Sequence, residues 1–204
     1  MTRPYAHADG PGRRAKPLKV INLFAAPGVG KSNLACGIFR LANFAQLGMD
    51  HITEYAKELS KAKAKWILVQ DQQKVFAEQH HRQMTSEIAG YEWLVTDSPL
   101  QLSKFYCNRP YFETFNALVD EAWSRFENFN FLLHRDMTRH PFQKEGREHD
   151  LEGSLEVARR LPGWLKENGI QYIDVDLDRE GPATVLGHIL PEIDWFEVHR
   201  RMPA

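Results

Sequence analysis

The sequence predicts an α/β fold, with a parallel central sheet of about five strands and helices on both faces. Three observations lead to this prediction. Short apolar runs alternate along the chain with longer stretches of helical periodicity, and this alternation favours a parallel sheet covered on both faces. A loop with two glycines joins the first apolar run to the first helical stretch. The composition, 43% hydrophobic and 26% charged, is that of a globular chain.

The individual elements follow from apolar spacing and from helix stop signals. Leu34, Ile38 and Leu41 recur at helical spacing after the loop, and Gly48 ends that stretch. Pro162 lies inside the last long helical stretch and predicts a kink or break there. The predicted strands cover residues 20–24, 51–53, 93–96, 130–133 and 172–176, and the predicted helices cover 31–47, 72–89, 98–107, 111–126 and 151–168, with the break at 161–163.

Bulk properties limit the setting and the partners. The formal net charge of −1 argues against a strongly basic nucleic-acid coat, although it leaves room for a local basic groove. No apolar run reaches bilayer length, and the first residues lack the apolar core of a signal peptide. With only two cysteines, a reducing, cytoplasmic setting is expected. Residues 1–17 are expected to form a flexible arm before a single domain at 18–204; no oligomeric state is predicted.

The strongest local pattern is the loop that ends Gly-Val-Gly-Lys-Ser. It follows an apolar strand, precedes a helix, and matches G-x-x-x-x-G-K-[ST] except that Ala25 replaces the first glycine. Small residues let backbone N–H groups surround a phosphate, Lys31 would reach its oxygens, and Ser32 would bind Mg²⁺. The alternative is a glycine turn that happens to precede Lys-Ser. The predicted nucleotide-binding residues are Ala26, Pro27, Gly28, Val29, Gly30, Lys31, Ser32 and Asn33.

Two carboxylates follow other predicted strands. Asp97 ends the strand at 93–96, where a carboxylate would lie beside the loop and bind the same Mg²⁺, although Asp-Ser-Pro is also an ordinary turn. Glu54 follows the strand at 51–53 and would face the same crevice. It could accept the proton of an attacking hydroxyl, or it could simply favour the dipole of its helix.

Two further groups of polar residues are candidates for substrate contacts. Gln72, Gln79 and Arg82 share a face of the helix at 72–89, and amide side chains suit the edges of nucleobases; a solvated polar face is the alternative. The arginines of the segment after residue 134, which include Arg135 and Arg147, could close over phosphates, although such a cluster is more often a solvated loop.

The chain resembles the small P-loop kinases of the nucleoside and nucleotide kinase superfamily. It is most similar to a bacteriophage family that includes the 5-hydroxymethyluracil DNA kinases and is distantly like the ribosylnicotinamide kinases. The resemblance is carried by Pro27-Gly28-Val29-Gly30-Lys31-Ser32, Thr53-Glu54-Tyr55-Ala56-Lys57, Val95-Thr96-Asp97-Ser98-Pro99-Leu100, and Pro141-Phe142 with Gly146-Arg147. It implies a three-layer sandwich with a short lid around residues 135–150.

The resemblance also implies roles for single residues. Lys31 and Ser32 would bind the phosphates and Mg²⁺ of ATP, Asp97 would complete the metal site, and Arg147, helped by Arg135, would act from the lid. Glu54 and Tyr55 would face the acceptor. The implied activity is transfer of the γ-phosphoryl of ATP to a nucleoside-type acceptor, with the hydroxymethyl group of 5-hydroxymethyluracil in phage DNA as the specific expectation. A free deoxynucleoside or nucleoside monophosphate is the alternative acceptor, and an ATPase or nucleotide switch is the alternative class.

Overall fold

The computed structural model describes residues 16–107, 114–134 and 151–203. Strands and helices alternate along nearly the whole described chain, as the apolar spacing predicts. The elements are β1 (Lys19–Phe24), α1 (Lys31–Phe44), β2 (Met49–Ile52), α2 (Tyr55–Lys61), α3 (Lys65–Gln70), α4 (Gln72–Ala89), β3 (Trp93–Thr96), α5 (Leu102–Phe105), α6 (Phe115–Ser124), β4 (Glu127–His134), α7 (Leu151–Glu167), β5 (Ile173–Asp176), α8 (Gly181–Ile189) and α9 (Trp195–Arg201).

The five strands form one sheet in the order β2-β3-β1-β4-β5, and each neighbouring pair is parallel. β1 lies at the centre, with Ile21 opposite Val95 of β3 and Phe129 of β4. The predicted parallel α/β architecture is therefore confirmed. Because the strand order reverses beside β1, the carboxyl ends of β1 and β3 border a crevice in which ligands of such sheets usually bind.

Apolar side chains on the two sides of the sheet form separate clusters. Successive residues of β1 point to opposite faces, so Val20 and Ile21 belong to different clusters. One cluster joins Ile21 to buried residues of α1 and α8, and the other joins Val20 to α4 and α6. Helices on both faces complete the predicted three-layer sandwich. None of the helices in the described residues has the length and hydropathy needed to span a bilayer.

The predicted break at Pro162 is wrong, since α7 continues from Leu151 to Glu167 with the proline inside it. A proline within a helix removes one backbone hydrogen bond and costs roughly 3 kcal/mol. Leu161 and Leu165, on either side of it, are buried in the main cluster together with Val157. Burial of this apolar face outweighs the local cost of the proline, so the helix remains continuous.

Parts of the chain that were assigned from the sequence lie outside the described residues. These are residues 1–15 of the expected arm, Arg135, Arg147 and the rest of the expected lid up to residue 150. The helix expected at 111–126 is described only from residue 114, and α6 begins at Phe115.

Candidate active site

The loop between β1 and α1 (the 25–32 loop) takes a backbone path that needs its glycines. Gly28 has φ 81° and Gly30 has φ 120°, values that side chains of L-residues rarely adopt. A Cβ atom at Gly30 would also lie 3.3 Å from the side chain of Leu177. Ala25 is not among the described residues with positive φ, so an alanine fits where the motif usually has glycine.

The amino end of α1 faces this loop without a capping side chain. Gly30 occupies the N-cap position, and no side chain accepts a hydrogen bond from the first turn. The first N–H groups of a helix need partners, and together with the helix dipole they favour an anion such as phosphate. Asn33 lies in this first turn with an exposed side chain. The backbone of the loop and helix therefore suits phosphate binding.

Lys31 is buried and folds back over the loop. Its Nζ donates hydrogen bonds to the carbonyl oxygen of Ala25 at 2.9 Å and to that of Ala26 at 3.4 Å. The ammonium group is thereby held at the mouth of the loop, against its first two carbonyl oxygens. A phosphate bound there would meet a positive charge as well as backbone donors.

Asp97 follows β3 and is fully buried beside the loop. Its Oδ2 accepts a hydrogen bond from Ser32 Oγ at 2.6 Å and another from Lys57 Nζ at 2.6 Å. Lys57 Nζ also contacts Ser32 Oγ and lies 3.4 Å from Oε2 of Glu54. The structure therefore brings together three predicted residues, Ser32, Glu54 and Asp97, around one ammonium group.

The charges in this cluster stabilise one another. Burial favours the neutral form of Asp97, but the Lys57 ammonium and the hydrogen bonds from Lys57 and Ser32 prevail and lower the pKa of Asp97. Burial likewise opposes the charge on Lys57, yet the carboxylates of Glu54 and Asp97 raise the pKa of Lys57. Both groups are consequently charged at neutral pH, and the cluster holds a cation between an alcohol and two carboxylates.

The same oxygens fit a magnesium ion. Magnesium in nucleotide sites is held by one or two carboxylates, hydroxyl oxygens and substrate phosphates. Asp97 Oδ1 is buried and has no hydrogen-bond partner among the described residues, while Oδ2 and Ser32 Oγ already face a cation. The donor set and this unpaired oxygen agree with the predicted Mg²⁺ ligands.

A second group of predicted residues, which includes Glu54, forms one wall of the crevice. This polar wall consists of Glu54, Tyr55, Gln79 and Arg82. Gln79 is buried in α4; its Oε1 accepts from Tyr55 N at 3.3 Å, and its Nε2 donates to Thr96 Oγ1 at 3.4 Å and to Thr53 O at 3.5 Å. The amide of Gln79 thus fastens the ends of β2 and β3 to the start of α2.

Arg82 is held by two carboxylates outside the polar wall, those of Glu58 and Glu78. It donates to both oxygens of Glu58, at 2.7 and 2.9 Å, and to Glu78 at 2.9 Å, and its guanidinium lies 5.3 Å from the ring centre of Tyr55. Hydrogen bonding to Glu58 is the main cause of a raised pKa of Arg82, against the opposing effect of burial. Arg82 is therefore a rigid, permanently charged part of the wall.

Gln72 lies apart from this wall. It begins α4, two turns before Gln79, and its amide donates to the carbonyl oxygen of Leu68 in α3. This contact joins the ends of two helices. All three predicted residues lie on α4, but Gln72 makes a different contact from Gln79 and Arg82.

Two residues near Glu54 were missed by sequence reasoning. Lys57 was named within the Thr53–Lys57 segment that carries the resemblance but was given no role in the active site, although its position three residues after Glu54 is a signal for contact on a helix. Tyr106 is partly buried, and burial raises its pKa with a further contribution from the charge of Glu54. No sequence pattern joins Tyr106 to Glu54, because they approach only through the tertiary fold.

Comparisons with solved structures agree with this architecture. One similar structure is the NadR protein in complex with NAD and AMP-PNP, with a TM-score of 0.57 and 18% identity over 84% of this chain and 49% of NadR. Another is the deoxyadenosine kinase from M. mycoides with bound dATP, with a TM-score of 0.53 and 16% identity over 85% of this chain and 98% of the kinase. The chain spans about half the length of NadR.

A comparison with curated proteins gives no match. The family described as AAA domain matches residues 20–180, a range that contains β2 to β5, all of β1 except Lys19, and the whole 25–32 loop. The fold, the loop and this match lead to the same conclusion: the chain belongs to the AAA domain family.

Proposed function

We propose that this protein is an ATP-dependent kinase that transfers the γ-phosphoryl group of ATP to a hydroxyl of a nucleoside-type acceptor. The observation that carries the proposal is the convergence of Ser32, Glu54 and Asp97 on one cationic position beside the 25–32 loop. A phosphate loop alone indicates only a bound nucleotide. A second carboxylate at the same cation, that of Glu54, supplies the proton acceptor that a hydroxyl acceptor needs.

The 25–32 loop would hold the phosphates of ATP. The N–H groups of the loop and of the first turn of α1 would donate to phosphate oxygens, and Lys31 would turn from the carbonyl oxygens of Ala25 and Ala26 to the β- and γ-phosphates. Ser32 and Asp97 would hold Mg²⁺. When bound, this ion neutralises charge on the phosphates during transfer.

We assign Glu54 to the acceptor. It is the N-cap residue of α2, and its side chain is partly exposed and lies 3.4 Å from Lys57 Nζ. In the proposed step, the acceptor oxygen forms a bond to the γ-phosphorus while the bond from that phosphorus to the bridging oxygen of ADP breaks. The proton of the acceptor hydroxyl passes to the Glu54 carboxylate.

The specific acceptor that we propose is the 5-hydroxymethyl group of 5-hydroxymethyluracil within DNA. The supporting surface lies on α2 and α3, directly after Glu54. Trp66 is 61% exposed, and the side chains of Lys61, Lys63 and Lys65 beside it are exposed as well. An exposed aromatic ring among lysines suits a nucleic-acid strand, since bases stack on the ring and phosphates pair with the ammonium groups.

A free deoxynucleoside or nucleoside monophosphate is the alternative acceptor. The formal net charge of −1 favours it, because proteins that bind a DNA backbone usually present a basic face. The polar wall also offers enough side chains to surround one base without a strand. These two acceptors belong to the same reaction and differ in what occupies the surface around Trp66.

An acceptor panel with γ-labelled ATP tests the proposal. It contains free deoxynucleosides, deoxynucleoside monophosphates, and DNA with and without 5-hydroxymethyluracil. We expect the label on the modified DNA and only background on unmodified DNA. Label on a free nucleoside or nucleotide would select the alternative acceptor. ATP hydrolysis at the same rate with and without every acceptor would refute the kinase and indicate an ATPase.

Trp66→Ala separates the two acceptors further. If the acceptor lies in DNA, this variant raises the KM for DNA several-fold, since one base loses a stacking partner worth about 1–3 kcal/mol. Tyr91→Ala is the matched control, because Tyr91 is 39% exposed and precedes the amino end of β3. The site lies at the other, carboxyl end of the strands. An unchanged KM for DNA in Trp66→Ala would remove this surface from the acceptor site.

A further inference from the structure

Ser154 is a buried polar residue of α7 that contacts the 25–32 loop. It is 1% exposed, and its Oγ donates a hydrogen bond of 2.6 Å to the carbonyl oxygen of Pro27. The two residues are 127 positions apart in the sequence. The Ser154 hydroxyl therefore holds one peptide group of the glycine-rich loop.

The contact fixes the orientation of one peptide plane. A peptide group is planar, and in its trans form the C=O and the following N–H point in opposite directions. No described peptide bond is cis, so the carbonyl of Pro27 points toward α7 and the N–H of Gly28 points away from α7. Gly28 has φ 81°, and without a Cβ its flanking peptides would turn easily if nothing held them.

We propose that Ser154 is a positioning residue for nucleotide binding: by holding the Pro27 carbonyl, it directs the Gly28 N–H toward the bound phosphates. This inference rests on the proposed function, since it assigns the phosphates of ATP to the loop. Ser154 itself does not contact the nucleotide. It holds the loop in its binding conformation before ATP binds, so that less conformational entropy is lost on binding.

The surroundings of Ser154 allow a clean test. Beside it lies a cavity of about 60 Å³ that is lined by side chains including Ala26, Val29, Leu155 and Ala158. One additional methyl group fits this space. Ser154→Thr keeps the hydroxyl and Ser154→Val removes it, while the two replacement side chains have nearly the same shape. Differences between these two variants therefore report on the hydrogen bond rather than on packing.

The experiment measures the affinity for ATP by calorimetry, together with thermal stability. We expect Ser154→Ala and Ser154→Val to bind ATP about tenfold more weakly, the size expected for one lost hydrogen bond, and Ser154→Thr to bind like the unaltered protein. The KM of the acceptor should not change. Amide exchange of Gly28 in the ATP complex should be faster in Ser154→Val than in Ser154→Thr.

A matched control is Ser86→Ala. Ser86 is also buried, and its Oγ donates at 2.6 Å to Asp50, away from the loop. This variant should lose stability but retain its affinity for ATP. Equal affinities of Ser154→Thr and Ser154→Val would overturn the inference. If the unaltered protein binds no ATP, the proposed function fails instead, so the two failures are distinguishable.

Discussion

The 25–32 loop is one contiguous segment, whereas the polar wall takes Glu54 and Tyr55 from the start of α2 and Gln79 and Arg82 from α4. The loop binds through its backbone, so its capacity depends on φ angles and on N–H groups. The wall acts through side chains, and those side chains already bind one another. A motif can therefore identify the phosphate site, while the acceptor depends on how separate helices meet.

The two regions also differ in what they expose. Lys31 and Asp97 are buried on the loop side, whereas Glu54 is partly exposed and Glu58 is mostly exposed on the wall side. Substitutions on the loop side should consequently have larger effects on turnover, and those on the wall should act more on the acceptor. Four variants test this division.

The largest effect is expected from Lys31→Ala. The Lys31 ammonium supplies the main positive side-chain charge that would stabilise the transferred phosphoryl group. Without it, turnover should fall by about 10³-fold or more. The fold should persist, as judged by circular dichroism. Lys74→Ala, which alters an exposed lysine of α4, is the control. Near-normal turnover in Lys31→Ala would refute the assignment of the loop.

Glu54→Gln should lower turnover on the order of 10²–10³-fold while the affinity for ATP remains unchanged, because only proton acceptance is lost. Steady-state kinetics together with ATP calorimetry measure both quantities. A variant that loses affinity for ATP but keeps its turnover would place Glu54 on the nucleotide side of the site. In that case Glu54 would act with the 25–32 loop in binding ATP and not with the polar wall in binding the acceptor.

Lys57→Ala should lower the free energy of unfolding by about 1–2 kcal/mol, because it leaves buried Asp97 without its cation. The cost stays below that of breaking a fully buried pair, since solvent reaches the Lys57 side chain. Mg²⁺ should then raise the melting temperature more in this variant than in the unaltered protein, because the ion binds the oxygens of Ser32 and Asp97 without competition from the Lys57 ammonium.

Lys104→Ala is the control for that measurement. Lys104 pairs with Asp120 at 2.7 Å, in a contact that does not involve the 25–32 loop. Mg²⁺ should stabilise Lys104→Ala no more than the unaltered protein. An equal response of the Lys57 and Lys104 variants would contradict the assignment of Ser32 and Asp97 as magnesium ligands.

The smallest effect concerns pH and the helix that carries the wall. Burial, with a further contribution from Arg125, lowers the pKa of His80, which stacks on Phe76 in α4. Because the unfolded chain then binds a proton more readily than the folded one, this contribution to stability is complete above about pH 6.5 and is lost as the pH falls below it.

His80→Gln should therefore lose less stability than the unaltered protein between pH 7 and pH 5, as measured by urea unfolding. His81→Gln is a suitable control, because His81 is exposed on the same helix. If the His80 and His81 variants respond equally to acid, His80 does not contribute through burial.

Much of the fold could be predicted from the sequence because it depends on local patterns. The apolar runs identify the strands of a sheet that is covered on both faces, and the loop motif fixes the order strand, loop, helix. The proline in α7 misled the prediction, since local propensity does not include the burial of Leu161 and Leu165. The helices α3, α8 and α9 were not predicted, and α2 was predicted without bounds.

The site divides in the same way. The loop residues and Asp97 could be predicted because each directly follows an apolar run that is recognisable as a strand in the sequence. Lys57 was given no role in the active site from the sequence, and its contact with Asp97 arises only when α2 packs beside the end of β3. Tyr106 shows the same limit, since no spacing in the sequence connects it with Glu54. Predictions of this kind require the relative positions of elements, which residue patterns do not contain.

The central claim is that the phosphoryl group passes to an acceptor and not to water. The most direct test measures ADP and phosphorylated product together, with γ-labelled ATP and DNA that contains 5-hydroxymethyluracil. Our account predicts one labelled acceptor for each ADP formed, with little free phosphate. Free phosphate equal to ADP, with no labelled acceptor from any member of the panel, would contradict it.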